Sequence, residues 1–350
     1  MAAMTRPARV VVRAALPGEG AAIASLWREL WDAHETWGGY PGSRDARVYA
    51  QLAQRLDEDA RVRAGHPILG RHIHLIADLG GTPCGQVEGW FERHGIDQHT
   101  PFTCEVRSLI VRQAARRLGA GRALLEGLAS AARALSRGAP CVLAAEVLEP
   151  NPAQTFYTRL GYAPVTWNAR VPADVGAAAA PAKPFVARVA GPHDAHAVAR
   201  LESMLAARRR TSGDVRFDRP RAVDASFVGA IAAHLASTTT DPSGSMREPT
   251  SLVVVDPAGD VRGVASFTVH TLEPPFVPLR RALVGRFGLD PASPAKPLAT
   301  ALMALGCRLA FGQCAPHVEL TDLSSPGSEL HDAAIAVGGE AWSRVVLKTL

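Results

Sequence analysis

Apolar positions along this chain recur with two periods, of two residues and of about 3.6, and their order predicts its elements. Arg9 to Ala14 is a short β-type run. Leu16-Pro17-Gly18-Glu19 turns it into a helix whose Ile23, Leu26, Trp27, Leu30 and Trp31 share one face at i, i+3, i+4, i+7 and i+8. That helix runs out in the breaker-rich Trp37-Gly38-Gly39-Tyr40-Pro41-Gly42, and a second helix follows with Val48, Leu52 and Leu56. His72 to Ala77 and Gly85 to Phe91 are alternating runs joined by Leu79-Gly80-Gly81-Thr82-Pro83, a predicted hairpin. Val106, Leu109, Ile110 and Val111 are strand formers, whereas Leu124, Leu125, Leu128 and Leu135 are helix-spaced. Cys141 to Val147 is a further strand, and Glu149-Pro150-Asn151-Pro152 turns it into a helix carrying Tyr157.

Beyond Trp167 the periodicity is lost through Val171-Pro172-Ala173-Asp174-Val175-Gly176, four alanines and Pro181-Ala182-Lys183-Pro184, which predicts an interdomain linker. The second half of the chain repeats the first. Arg13 to Glu19 aligns without gaps on Arg188 to Asp194, a shift of 175 that also sets Leu26 on Leu201. Ser251 to Asp256 and Val261 to Val269 repeat the hairpin, and Ala282 to Leu289, Leu298 to Leu309, His317 to Leu323 and Glu329 to Val337 repeat the last strand, helix, strand and helix. The expected fold is α/β in two tandem domains, each a mixed, mostly antiparallel central sheet flanked by helices. Residues 1–170 and 185–350 are the domains and 171–184 the linker.

The candidate chemistry sits where one strand meets a helix, at Arg116-Arg117-Leu118-Gly119-Ala120-Gly121. Gly119 and Gly121 let the backbone approach a ligand without Cβ interference, and the first free N–H groups of the helix point into the loop with the positive end of its dipole. That is a seat for a pyrophosphate, although neither the G-x-G-x-x-G of dinucleotide folds nor the G-K-[ST] of a P-loop is present. Laid against it in the second half is Asp290-Pro291-Ala292-Ser293-Pro294-Ala295, where two prolines remove donors and an aspartate opposes a phosphate.

Arg-x-x-Gly-x-Gly after an apolar strand resembles the acyl-CoA motif of the GNAT (general amine N-acetyltransferase) superfamily, whose loop amides hold the coenzyme A pyrophosphate. Asn151 to Tyr162 is similar to the family's N-x-x-A-x-x-x-Y-x-x-x-G-F segment, with Ala153 one place early. The resemblance covers the first half and implies acetyl-CoA as co-substrate, held by Leu109, Ile110, Val111, Arg116, Arg117, Leu118, Gly119, Ala120, Gly121, Arg122 and Asn151. It implies Glu105, eleven residues before Arg116, as a general base working through water, and Tyr157 as the proton donor to the leaving thiolate. A carboxyl near ~4.3 is a poor direct base for an ammonium near ~10, hence the water. The first two helices would roof the acceptor site, which makes Asp32, His34, Glu35, Trp37 and Tyr40 candidate acceptor contacts. In the second half Leu279 stands near the position of Glu105, and Ala333 and Ala334 near that of Tyr157, so this half is expected to be degenerate. The implied activity is direct transfer of an acetyl group to a primary amine, on a small molecule or a peptide. Aminoglycoside, polyamine and peptide acceptors stay open, as does a non-catalytic acyl-CoA sensor.

Composition narrows the rest. The chain of 350 residues is 47% apolar and 20% charged, as soluble globular proteins are. It has no apolar run near the roughly 18 residues that span a bilayer. Its Arg6, Arg9 and Val10 to Val12 are too short in apolar content for a signal peptide, so a cytoplasmic protein without a membrane partner is expected. Five cysteines without C-x-x-C spacing predict buried thiols, with neither a disulfide framework nor a zinc site. His72 and His74 share a strand face without a third ligand nearby, so surface histidines are expected and no metal. The net charge of +5 lacks a concentrated basic stripe, which excludes a generic nucleic-acid surface. Arg208-Arg209-Arg210 is expected to be a solvated helix end.

Overall fold

The structure, a computed structural model, describes residues 9–93, 101–180, 182–216, 220–238 and 249–350; Arg6 and Pro181 lie outside them. The first half runs β1 (Val10–Arg13), α1 (Gly20–Thr36), α2 (Ala46–Arg63), β2 (Ile68–Leu69), β3 (His72–Leu79), β4 (Thr82–Arg93), β5 (Phe102–Val111), α3 (Ala120–Ser136), β6 (Cys141–Leu148), α4 (Gln154–Arg159) and β7 (Ala163–Pro172). After α5 (Ala173–Ala177) the second half runs β8 (Val186–Val189), α6 (Ala195–Thr211), α7 (Ala225–Thr238), β9 (Thr250–Val255), β10 (Val261–Thr271), β11 (Arg280–Leu289), α8 (Ala295–Gly312), β12 (His317–Leu323), α9 (Glu329–Ala336) and β13 (Glu340–Thr349).

The two expected sheets are joined. All the strands among the described residues lie in one sheet of order β1-β3-β4-β5-β6-β13-β7-β12-β11-β10-β9-β8, with β2 on β3. The β5–β6 and β11–β12 pairs are parallel and the others antiparallel. The centre is an exchange of last strands: β13, from the second half, pairs with β6 and β7, and β7, from the first, pairs with β13 and β12. Residues 171–177, the first part of the expected linker, are accordingly not free. β7 runs to Pro172, and α5 lies so close to α8 that a Cβ on Gly176 would stand 2.4 Å from the Cys307 sulfur.

Each half buries its sheet on both faces. In the first, α3 covers Ile73, Leu75 and Val87 with Leu124 and Leu128, and α1 and α2 cover Ile76 with Ile23, Leu52 and Leu56. Gly20 lets those two helices touch, since a Cβ there would meet the Ala53 carbonyl oxygen at 2.1 Å. In the second half α8 takes the place of α3, with Leu298 and Leu302 fully buried.

Several expectations change. His72 and His74 are not surface histidines, because they point under α1 and α2, where His74 is 2% exposed. The arginine run is not a solvated helix end: Arg208 donates to the Phe287 carbonyl at 2.7 Å, and Arg209 is buried 3.1 Å from Asp322. Cys314 is exposed, unlike the other four thiols. Among the described residues no helix is long and apolar enough to cross a membrane, and no cluster of three or more potential metal ligands is found.

Candidate functional site

Strand β5 is held by β6 only from Phe102 to Val106; beyond that pair the two strands part. Ser108, in the left-handed region at φ 54°, breaks the register of β5 against β4 at the same level. Leu109, Ile110 and Val111 therefore present a strand edge to an open space instead of a neighbour. That space is a cavity of about 700 Å³. Its walls are Leu30, Ala33 and His34 of α1, Trp37 just after it, the end of β5, the loop into α3, and Asn151, Phe156 and Tyr157 around α4.

Arg116, Arg117, Gly119, Ala120, Gly121 and Arg122 line it, whereas the Leu118 side chain is 54% exposed and does not. Arg117 and Gly119 both have left-handed φ, 66° and 88°, and such alternation turns successive N–H groups toward one side. The Arg116 guanidinium pins the loop by donating from Nε to the Val111 carbonyl at 3.1 Å. Among the described residues no side chain bonds to the N–H groups from Arg117 to Arg122. The helix N-terminus, an arginine group and a row of amides converge there on the cavity, an arrangement of a kind that favours an anion.

The second half has filled the same place itself. Asp290 accepts from the Ala292 N–H at 3.1 Å and lies 3.3 Å from Arg262 and 3.6 Å from Arg200. The Ala292 N–H, with those two guanidinium groups, holds the carboxyl below its usual range, so an ionised carboxylate sits where a phosphate would. A cavity of about 370 Å³ remains, lined in part by Asp290 and Glu329 and by Arg208.

Structural register also corrects one alignment. Ser108 in β5 and Arg286 in β11, with φ 54° and 57°, break their strands alike, and superposing them sets Leu283, not Leu279, at the place of Glu105. The extra shift arises because the two strands start at different distances from their helices. Gly161 and Gly338, which follow α4 and α9 at φ 83° and 85°, set Ala334 at the place of Tyr157, within the expected pair.

The structure brings only some of the candidates together. Tyr157 lines the cavity, edge-on to Phe156 and Tyr162 with centroids 5.5 and 5.2 Å away, and burial pushes its phenol above the ordinary value. Asn151 lines it too, its Oδ1 accepting from the Ala153 N–H at 2.9 Å to shape the entry into α4. His34 and Trp37 reach it from the end of α1, and burial lowers the His34 pKa to about 4, leaving the imidazole neutral. Asp32 and Glu35 do not line it; Arg44 holds both at the surface. Tyr40 turns away to donate to Glu319 of the second half at 2.6 Å. Glu105 is not in the cavity wall: it lies earlier on β5, opposite Trp90 of β4, and accepts from Arg107 Nε at 3.2 Å.

A polar cluster under α1 and α2 escaped the sequence. The register of β3 against β4 sets His72 opposite Trp90 and His74 opposite Glu88, all on one face. Arg63 donates to His72 Nδ1 at 2.7 Å, which leaves the proton of the neutral ring on Nε2, 3.4 Å from Glu88. Ser108 donates to the other oxygen of Glu88 at 3.3 Å. Burial would raise the Glu88 pKa, but His72, His74 and Ser108 outweigh it and hold the carboxyl below its usual value. The available signal was polar residues at one parity of two apolar alternating runs.

Residues 24–162 match the family model described as Acetyltransferase (GNAT) family. No curated protein matches the chain. Among solved structures the chain is similar to a GCN5-related N-acetyltransferase from Sphaerobacter thermophilus, at 16% identity and a TM-score of 0.57, over 99% of this chain and 97% of that one. It is similar to the GCN5-related glucosamine N-acetyltransferase region of a fungal multi-domain GH3 β-N-acetylglucosaminidase, at 13% identity and a TM-score of 0.54, over 99% of this chain and 38% of that one. A tandem GNAT protein from the clavulanic acid biosynthesis pathway aligns at 17% identity and a TM-score of 0.49, over 98% of each chain. At such identities the likeness is one of fold.

Proposed function

We propose, from the premise that residues 24–162 are a GNAT acetyltransferase domain, that this protein moves an acetyl group from acetyl-CoA to a primary amine at the first-half cavity. The observation that carries the proposal is the contrast between two equivalent loops. One lines an open cavity with its backbone and arginines, and the other has closed its seat with the carboxylate of Asp290. The first-half cavity also fits the co-substrate in kind, with an anion seat at one end and an unpaired strand edge leading inward.

Acetyl-CoA supplies a thioester when bound. The amides from Arg117 to Gly121 and the side chains of Arg116 and Arg122 would hold its pyrophosphate, and the edge Leu109 to Val111 would take the pantetheine arm as an added strand and polarise the carbonyl. Tyr157, kept protonated by burial, would give its proton to sulfur as the thiolate forms. Glu105 would collect the ammonium proton through water. Its place outside the cavity wall favours one second reading, a protein that binds acyl-CoA and transfers nothing.

Calorimetry with coenzyme A, followed by thiol release from acetyl-CoA against a panel of aliphatic diamines, amino sugars and peptides, separates these readings. The expected result is one site per chain and release that depends on one class of amine. Absence of binding overturns the site, and binding without release under any amine favours the second reading.

A further inference from the structure

Where the last strands are exchanged, a loop from each half also crosses into the other. The first-half loop follows α1 and carries Tyr40. Its backbone is tied to the second half, since the Ser43 N–H donates to the Pro275 carbonyl at 2.7 Å and the Val277 N–H to the Pro41 carbonyl at 3.0 Å. Phe276, between those ties, packs on Trp31 of α1 with centroids 4.4 Å apart. Arg170 donates to the Gly38 carbonyl at 2.6 Å.

The Tyr40 hydroxyl ends on Glu319, whose side chain is 1% exposed. Glu319 also accepts from Arg281, at 3.2 Å from Nε and 2.5 Å from Nη2, and lies 3.5 Å from Arg170. Burial would raise its pKa, but Arg281, Tyr40 and Arg170 hold it below the usual carboxylate value. Tyr40 therefore donates to an ionised, immobile acceptor, the stronger kind of hydrogen bond.

At the position of Tyr40 the other crossing is apolar, although the flanking Asp214 and Arg216 pair with each other at 2.8 Å and Arg216 lies 3.5 Å from Asp322. At the shift of 175 that relates the halves, Val215 takes the place of Tyr40 and Ala144 that of Glu319, and these two pack with Val165, Val345 and Leu347. An apolar side chain thus fills this position in the other crossing, and a buried charge is a costly alternative to it. What the charged crossing adds is direction. It fixes one hydroxyl, and through it the residues just before Tyr40. Those residues include His34, at the end of α1, and Trp37, just after it, both of which line the first-half cavity.

We propose that Glu319 is a positioning residue: by holding Tyr40 it sets the end of α1, with His34 and Trp37, over the acceptor side of the first-half cavity. This inference rests on the reading of that cavity as the transfer site. The second half then serves the reaction without touching it.

The test compares the wild-type chain with Tyr40→Phe and Glu319→Gln. Coenzyme A affinity is measured by calorimetry, amide exchange is followed over residues 34–43, and kcat and KM are measured for whichever amine of the panel releases thiol fastest. Both variants should bind coenzyme A within about twofold of wild type. Each should exchange faster over residues 34–43 and raise the amine KM about tenfold with kcat moved less, the scale of one lost bond to a charged group. Tyr40→Phe with wild-type KM and exchange overturns the inference and leaves the transfer site standing. So does a raised KM in Tyr40→Phe alone, which would make Tyr40 a direct acceptor contact. Should Glu319→Gln fail to fold, exchange in Tyr40→Phe decides, because loss of a direct contact leaves the loop as ordered as before. If wild-type chain does not bind coenzyme A, the site itself is refuted and the inference goes with it.

Discussion

Tyr157 meets the cavity with a phenol that burial keeps protonated, and no neighbour among the described residues takes its hydroxyl in a hydrogen bond. Its oxygen is thus available to a departing sulfur, and Tyr157→Phe should lower kcat by about 10² to 10⁴, as loss of a general acid does. Coenzyme A affinity should stay within a few fold in the same variant. Full turnover would reduce the residue to packing. His34 yields a pH prediction of definite sign. Its folded pKa of about 4 lies below the ordinary value of 6.5, so between those two the unfolded chain binds a proton that the folded one refuses. Stability is therefore lost as pH falls through that window, by at most ~1.4 kcal/mol per pH unit from this residue. His34→Gln should flatten the pH dependence of the urea midpoint between pH 7 and 5. His74 is shifted the same way by burial and keeps its contribution in both proteins, so an unchanged slope refutes the assignment to His34. Tyr157 and the loop arginines were legible because each lies within a short, patterned stretch. The Glu88 cluster was not, since it exists only once two strands pair. Nor was the role of Tyr40, whose partner is 279 residues away.

Among the elements, the two loop-to-helix junctions divide the halves most sharply. α3 begins after Gly119 at φ 88°, whereas α8 begins after Pro294, which has no N–H to offer. Coenzyme A should accordingly bind one site per chain, and two equivalent sites in a titration would contradict that. Gly121→Val should abolish the binding. A Cβ there already lies 3.1 Å from the Phe156 ring, and the branched side chain would enter the space between α3 and α4 that the ligand needs. Unchanged affinity would remove the loop from the site. The paired helices and the hairpins were readable from periodicity because each buries one face within its own half. The strands β7 and β13 were not. β7 is bounded by Pro164 and Pro172, residues that argue against a central strand, and its register on β12 and β13 is broken. Their neighbours belong to the other half, so nothing in the local sequence marks what they pair with. α7, apolar around most of its circumference, gave no single face to read.

At the scale of the whole molecule the exchange of strands makes the halves one folding unit. β7 finds no partner in its own half, since its edges are taken by β13 and β12. β6 would likewise face water along the edge that β13 covers from Val142 to Leu148. A chain cut after Ala173 keeps the loop, Tyr157 and every other residue of the candidate site, yet it exposes two long strand edges and the apolar side chains Val147, Val165 and Ala169. Such edges aggregate. Residues 1–173 should thus be insoluble or molten when expressed alone. The whole chain should unfold in one transition, with tryptophan fluorescence, which reports mainly on the first half, coinciding with far-ultraviolet circular dichroism. The alternative is a pair of domains merely tethered, which would give a soluble fragment with its own sharp transition and full coenzyme A affinity. That result would mean the exchanged strands contribute little. Failure of the fragment together with a single transition in the whole chain would show why a half without an anion seat is kept: the working half does not close its sheet without it.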